Sequence, residues 1–347
     1  MAGLTSLGWN EGWAKAWADT AVADGAVPAR VILEHGRFLR LHDGAGELLA
    51  VSAGRLRHEA DTGAALPTVG DWVAVSKGTD AANGEPLGTI RAVLPRKSRF
   101  SRRRAGVRAV EQVVAANIDT VFLLMGLDAD FNPRRLERYL SVTFASGARP
   151  IVVLNKADVA GDPDTLAGRV AAVAAIAGVA IPVLPTSTRT EDGLAAVMPH
   201  LRPGQTVALL GSSGVGKSSL LNRLAGNDLQ RIADVRAHDG RGKHTTTYAQ
   251  LFALPSGALV IDTPGLRELQ LWEADEGVET AFSDIEEVAA QCRFRDCRHA
   301  AEPGCDVRAA LADGRLSASR FASFQKLQAE LGASRGRGAG PKGRRRS

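Results

Sequence analysis

Residues Gly211-Ser212-Ser213-Gly214-Val215-Gly216-Lys217-Ser218-Ser219 carry the spacing of a phosphate cradle: a glycine, four residues, then Gly-Lys-Ser. Glycines allow successive backbone N–H groups to turn inward on phosphate oxygens, and a helix starting at the lysine adds its positive end. Lys217 would reach the β- and γ-phosphates, and the Ser218 hydroxyl would ligate Mg²⁺. A glycine turn without a ligand is the bland alternative. Against it stand the apolar run Val207–Leu210 before the motif and the helical Ser219–Leu224 after it, the strand–loop–helix context such a cradle needs.

Asn155-Lys156-Ala157-Asp158 follows another apolar run, Ile151–Leu154. A carboxylate at Asp158 accepts hydrogen bonds from N1–H and the exocyclic amine of guanine. Adenine has no donor at N1, and a buried acceptor left unmet costs about 1–3 kcal/mol. The Lys156 stem can cover the base and Asn155 can brace the loops. Pro185-Thr186-Ser187 is a candidate for backbone contacts to the same base.

Asp262-Thr263-Pro264-Gly265 closes the run Ala258–Ile261. Asp262 would hold Mg²⁺ through water, and the Gly265 N–H would sense the γ-phosphate. Leu266 stands where many GTPases keep a water-orienting glutamine, so hydrolysis is slow unaided or draws a group from elsewhere. Gly240-Arg-Gly-Lys-His-Thr-Thr-Thr247 has the composition of a mobile loop that closes on metal and phosphate. Thr245 and Thr246 are its candidate ligands, and His244 is the candidate for positioning water. An idle, exposed histidine is the alternative there. The catalytic set is thus Lys217, His244, Thr245 and Thr246.

The order of these motifs is unusual. The base reader precedes the phosphate reader, and the Asp262 motif follows both. That is the order of a circularly permuted nucleotide domain, whose last switch segment runs straight into whatever follows.

All three cysteines lie in one stretch, Cys292-x4-Cys297-x-His299-x5-Cys305, which does not suit a disulfide framework. Three thiolates and an imidazole make a closed tetrahedral set for one structural Zn²⁺. The polar surroundings would leave much of the local folding energy to the ion.

The elements that must position these groups are also legible. From about residue 111 to 270, apolar runs such as Thr120–Met125 and Ile151–Leu154 alternate with helical segments, including one from Pro133 to Ser146. This is an α/β layout with strands buried on both faces. Before it, Arg30–Glu34, Phe38–Leu41, Leu48–Val51, Asp71–Val75 and Gly88–Leu94 read as five short strands separated by turn residues. They suggest an OB-type β-barrel, with an SH3-like barrel as the alternative. A C-terminal, mostly helical domain follows residue 270, with a helix from Ser317 to about Leu331. The expected division is an extension at 1–28, barrel at 29–95, basic linker at 96–110, nucleotide domain at 111–270, zinc-binding domain at 271–332 and disordered basic tail at 333–347.

Trp9, Trp13 and Trp17 are spaced by four, which places them on one helical face. The stripe reads as packing on its own protein; a stacking surface for RNA or a partner is the sharper alternative. The net charge of +5 is concentrated at Arg96-Lys97, Arg99 and Arg102–Arg104, and again in the arginine-rich tail. Such clusters suit phosphate backbones, or serve as a solvated linker and tail. No apolar run reaches the roughly 18 residues that span a bilayer, and no secretory leader is seen, so a cytoplasmic protein with no membrane partner is expected.

Barrel, permuted motifs, Gly242-Lys-His-Thr-Thr246, Arg138-Tyr-Leu140 and the Cys292/Cys297/His299/Cys305 set together resemble the ribosome small-subunit-dependent GTPase A family, RsgA or YjeQ. The resemblance spans nearly the whole chain. It implies a GTP hydrolase, cycling between GTP and GDP, that binds the 30S ribosomal subunit and its 16S rRNA. It also implies stimulation by the subunit and a part in late maturation of the decoding region. Leu266 agrees with the hydrophobic residue the family carries there. A monomer is expected. The competing readings are a P-loop ATPase or kinase, which would not need Asp158, and an RNA-binding scaffold with a vestigial nucleotide site.

Overall fold

The computed structural model describes residues 2–20, 22, 24–59, 65–78, 87–104, 110–226, 249–262 and 281–336. The predicted barrel strands form β1 (Val27–His35), β2 (Phe38–His42), β3 (Glu47–Ser52), β4 (Trp72–Ser76) and β5 (Leu87–Val93). They close in the order β1-β2-β3-β5-β4-β1, with β3 and β5 parallel. A short helix, α3 (Gly54–Glu59), lies between β3 and β4. That topology is OB-like, and the SH3-like alternative falls away.

The tryptophan segment packs inward. Asn10 caps α2 (Glu11–Asp19) by accepting from the Trp13 amide, so Trp9 lies just before the helix rather than on it. Trp9 and Trp13 bracket Trp72 at ring-centroid distances of 4.8 and 6.1 Å. With Leu4 of the short helix α1 (Ala2–Thr5), Leu7 and Leu94 they make a small aromatic core.

The segment read as a basic linker contains a strand. β6 (Arg99–Arg104) pairs antiparallel with β7 (Val110–Ala116) as a two-stranded ribbon. Alternation explains it: Phe100 is buried while Arg99 pairs across the ribbon with Glu111. Two of the clustered cations are engaged within the protein. Arg96 grips the buried Asp71 carboxylate with Nε at 2.8 Å and Nη2 at 2.7 Å, and the Lys97 ammonium lies 4.5 Å from the centre of the Trp13 ring. Charge clustering alone could not reveal that Arg96 is committed to a buried carboxylate.

The nucleotide-domain strands are β8 (Thr120–Gly126), β9 (Arg149–Asn155), β10 (Val183–Pro185), β11 (Thr206–Gly211), β12 (Gln250–Ala253) and β13 (Leu259–Asp262). Their order is β10-β9-β8-β11-β13-β12, parallel except for β12. β8 is buried throughout, and its two faces serve different cores. Val121, Leu123 and Met125 join the core that contains Leu136 and Leu140 of α4 (Pro133–Ser146) and Val173 of α5 (Pro163–Ala177). Phe122 and Leu124 face Leu220 and Leu221 of α6 (Lys217–Ala225). Helices on both faces therefore account for the uninterrupted apolar runs.

Beyond residue 280, α7 (Ser283–Ala289), α8 (Asp306–Ala312) and α9 (Ala318–Gly336) enclose Phe282, Ile285, Val307, Phe321 and Phe324. Among the described residues, no helix is long and apolar enough to cross a membrane.

Candidate nucleotide site and metal centre

The phosphate cradle, Asn155–Asp158 and Asp262 lie at one edge of the parallel sheet, at the carboxyl ends of its strands, where α/β sheets bind ligands. β11 delivers the loop 212–216, and α6 starts at Lys217. Gly216 holds φ at 103°, and a Cβ there would collide with the Asn155 side chain. Only glycine lets the cradle approach the base-reading segment this closely. The Lys217 ammonium folds back over its own loop, donating to Gly211 O at 2.7 Å and to Ser212 O. Ser218 and Ser219 are exposed in the first turn of α6, while Val215 is buried beneath the loop.

Asn155 ends β9 and is buried. Its Nδ2 donates to Val215 O at 2.8 Å, which ties the base-reading segment to the cradle. Asn155 Oδ1 has no partner among the described residues. Lys156 takes a left-handed conformation, φ 67°, and its ammonium pairs with Asp128 at 2.7 Å. That bond holds the Asp128 carboxyl below the usual carboxylate range. Ala157 donates its backbone N–H to Thr186 O at 2.9 Å, so the Pro185–Ser187 segment does lie against the motif. The Ser187 hydroxyl donates to Asp158 Oδ1 at 2.7 Å and orients that carboxylate. Arg223 of α6 reaches across to Thr188 O, Thr190 O and Glu191 O, binding this loop to the helix behind the cradle.

Asp262 ends β13, the neighbour of β11, and is paired in register with Gln250. Thr263, Pro264, Gly265 and Leu266 lie outside the described residues, as does the whole Gly240–Thr247 segment with His244, Thr245 and Thr246. Sequence reading missed Ser187 as a side-chain partner of Asp158, and it missed Asp128 and Asp130. The available signal was their position: a run rich in carboxylates directly after an apolar strand marks the ligand edge of a parallel sheet.

The cysteine set gathers as expected. The ligand atoms of Cys292, Cys297, His299 and Cys305 all lie within 4.8 Å of one another. Cys292 Sγ is 3.7 Å and Cys305 Sγ 3.5 Å from His299 Nδ1, and the two sulfurs are 3.9 Å apart. A tetrahedron with Zn–S of about 2.3 Å and Zn–N of about 2.0 Å has edges of roughly 3.5–3.8 Å, so these four residues fit the ion, with Nδ1 as the imidazole donor. Burial and the neighbouring sulfurs push the Cys297 thiol up to about 11. Three thiolates this close ionise together only around a cation.

A family model described as RsgA GTPase matches residues 93–272. This chain belongs to the RsgA GTPase family. It is 52% identical over 332 residues to the small ribosomal subunit biogenesis GTPase RsgA of Opitutus terrae, covering 94% of this chain and 89% of that one. It is 45% identical to RsgA 2 of Lactiplantibacillus plantarum over 90% of this chain and 86% of that one. Among solved structures it resembles YjeQ from Thermotoga maritima, with a TM-score of 0.65 and 27% identity over 88% of this chain and 98% of that one. It also resembles YloQ, described as a circularly permuted GTPase, with a TM-score of 0.64 and 25% identity over 91% and 98%. RsgA GTPases hydrolyse GTP, and their permuted motif order is the one found here.

Proposed function

We propose that this chain is a GTP hydrolase that binds the small (30S) ribosomal subunit through 16S rRNA, is stimulated by it, and assists its late maturation in the cytoplasm as a monomer. The observation that carries the reading is the 2.8 Å bond from Asn155 to Val215, which sets the candidate guanine-reading segment against the candidate phosphate cradle. The printed name shared by its relatives supplies the ribosomal partner.

Asp158, oriented by Ser187, reads the guanine edge, and Lys156 covers the base. The amides of Ser213, Gly214, Val215 and Gly216 receive the phosphates, and Lys217 leaves Gly211 O to meet the β- and γ-oxygens. Ser218 and Asp262 would hold Mg²⁺, which screens charge developing on the phosphates. Leu266 cannot orient water; His244 of the Gly240–Thr247 segment is the candidate for that role, and Thr245 or Thr246 would hold the metal. The cysteine set would hold Zn²⁺ as a structural ion with no open position.

GTP turnover measured with and without purified 30S subunits tests this. Turnover should rise with subunits and vanish in Lys217→Ala. Turnover without stimulation would sink the ribosomal part alone. Preference for ATP would favour the kinase or ATPase reading, and no turnover under any condition would favour a scaffold.

A further inference from the structure

One polar run at the ligand edge belongs to none of the motifs: Gly126-Leu127-Asp128-Ala129-Asp130-Phe131-Asn132, between β8 and α4. β8 lies between β9, which carries the base reader, and β11, which carries the cradle. The loop leaving β8 is therefore the segment placed to touch both, and it does.

Asp130 reaches the cradle. Its Oδ2 accepts from the Ser212 hydroxyl at 2.7 Å and from the Gly126 amide at 3.3 Å, and Arg135 neutralises its other oxygen at 2.7 Å. Asp128 reaches the base reader through the 2.7 Å pair with Lys156. The two are joined, because the Asp130 amide donates to Asp128 Oδ1 at 3.1 Å. The loop is anchored further through Leu127: its N–H donates to Asn155 O at 2.8 Å, and Arg169 donates to Leu127 O at 2.6 Å while lying over the Phe131 ring. Each carboxylate has its own cation, so neither presents an uncompensated negative charge to an incoming phosphate. Helix capping does not explain them, since Asn132 already accepts from the Arg135 amide to cap α4.

We propose that Asp128 and Asp130 form a clasp that fixes the separation between phosphate cradle and base reader, and are positioning residues for the guanine nucleotide. Asp130 aims the first residue of the cradle, and Asp128 holds Lys156 over the base position. The proposal rests on the nucleotide reading above. A nucleotide that must touch both walls binds best when their spacing is preset, because less order is lost on binding.

The test is affinity for a fluorescent GDP, with GTP KM and kcat measured on the same full-length variants. Asp130→Ala should weaken GDP and raise KM about tenfold, the loss expected for a charge-assisted hydrogen bond, while kcat at saturation falls less than about threefold. Asp130→Asn keeps an oxygen for Ser212 and should recover most of the affinity. The Asp130→Ala/Ser212→Ala pair should be no worse than either change alone. Asp128→Ala should weaken GDP about fivefold and narrow the preference for GDP over ADP. Should Asp130→Ala not fold, Ser212→Ala removes the same bond and carries the test. Unchanged GDP affinity in Ser212→Ala and Asp130→Ala, or losses that simply add, would overturn the clasp. Wild-type protein that does not bind GDP would instead overturn the nucleotide reading.

Discussion

The barrel and the finger attach to the same nucleotide domain by different physics. The barrel is continuous with it: β1 pairs with β12 at Leu33 and Gln250, which makes one eleven-stranded sheet. At this seam Gly70, with φ 92°, lies so close to Ala116 O that a Cβ would collide. Arg30 is buried in the middle of it. It donates to Thr206 Oγ1 at 2.7 Å, to Gly70 O and Asn117 O at 3.3 Å, and to Leu7 O, so one guanidinium joins extension, barrel and the start of the cradle strand. Burial lowers its pKa to about 10, with Asp119 and Asp71 pulling the other way, so it stays charged near neutral pH. Among the described residues, the finger shares no strand with the nucleotide domain. It docks through Arg320 on α9, which meets Glu137 on α4 at 3.4 Å and Asp284 on α7 at 2.7 Å, with Val142 of α4 packed against the finger core. Backbone pairing makes the barrel part of the nucleotide fold, whereas side-chain docking leaves the finger separable. The segment joining Asp262 to the finger also carries the last nucleotide motif, so separability is what a switch would need.

The largest effect should come from the metal. Chelation, or Cys292→Ser, should remove up to about 10 kcal/mol of local folding energy. Amide exchange should then accelerate throughout α7–α9 and stay slow in the barrel. Equal acceleration in both would erase the distinction drawn above. Next is Arg30→Met, which strands several buried acceptors and should cost about 3–5 kcal/mol. Because the seam is one fold, barrel and nucleotide domain should still melt in a single calorimetric transition at lower temperature; two transitions would contradict continuity. Glu137→Gln should cost about 1–2 kcal/mol, confined to protection of α8 and α9. The smallest effect is a pH slope. Burial pushes the Glu137 carboxyl up, with Ser323 and Arg320 offsetting part of the shift. Native protein thus holds this proton more tightly than the unfolded chain. Glu137's own contribution to finger stability, read as wild type minus Glu137→Gln, should be largest below the ordinary glutamate value and fall as pH rises through the raised one. Glu137→Gln should flatten that slope in urea titrations run upward from the ordinary glutamate value.

Motifs whose chemistry is local were legible in the sequence. The cradle, Asn155–Asp158, the cysteine set and the Pro133–Ser146 helix depend on spacing within a few residues, and each lies where spacing put it. Contacts set by strand order were not legible. Nothing in the run Asp128–Asp130 announces that β8 separates β9 from β11, and Arg96 looks like any clustered arginine until Asp71 is folded beneath it. The tryptophans show the limit from the other side: their spacing of four predicted one helical face, but Asn10 starts the helix after Trp9.

The central claim is that Asp158 and the cradle grip one guanine nucleotide from opposite ends. The most direct measurement compares affinities for GDP and xanthosine diphosphate in wild type and Asp158→Asn. The exchange should weaken GDP by at least about a hundredfold and strengthen xanthosine diphosphate, because an amide there matches the xanthine edge instead. Equal affinities for both nucleotides in both proteins would contradict the shared pocket.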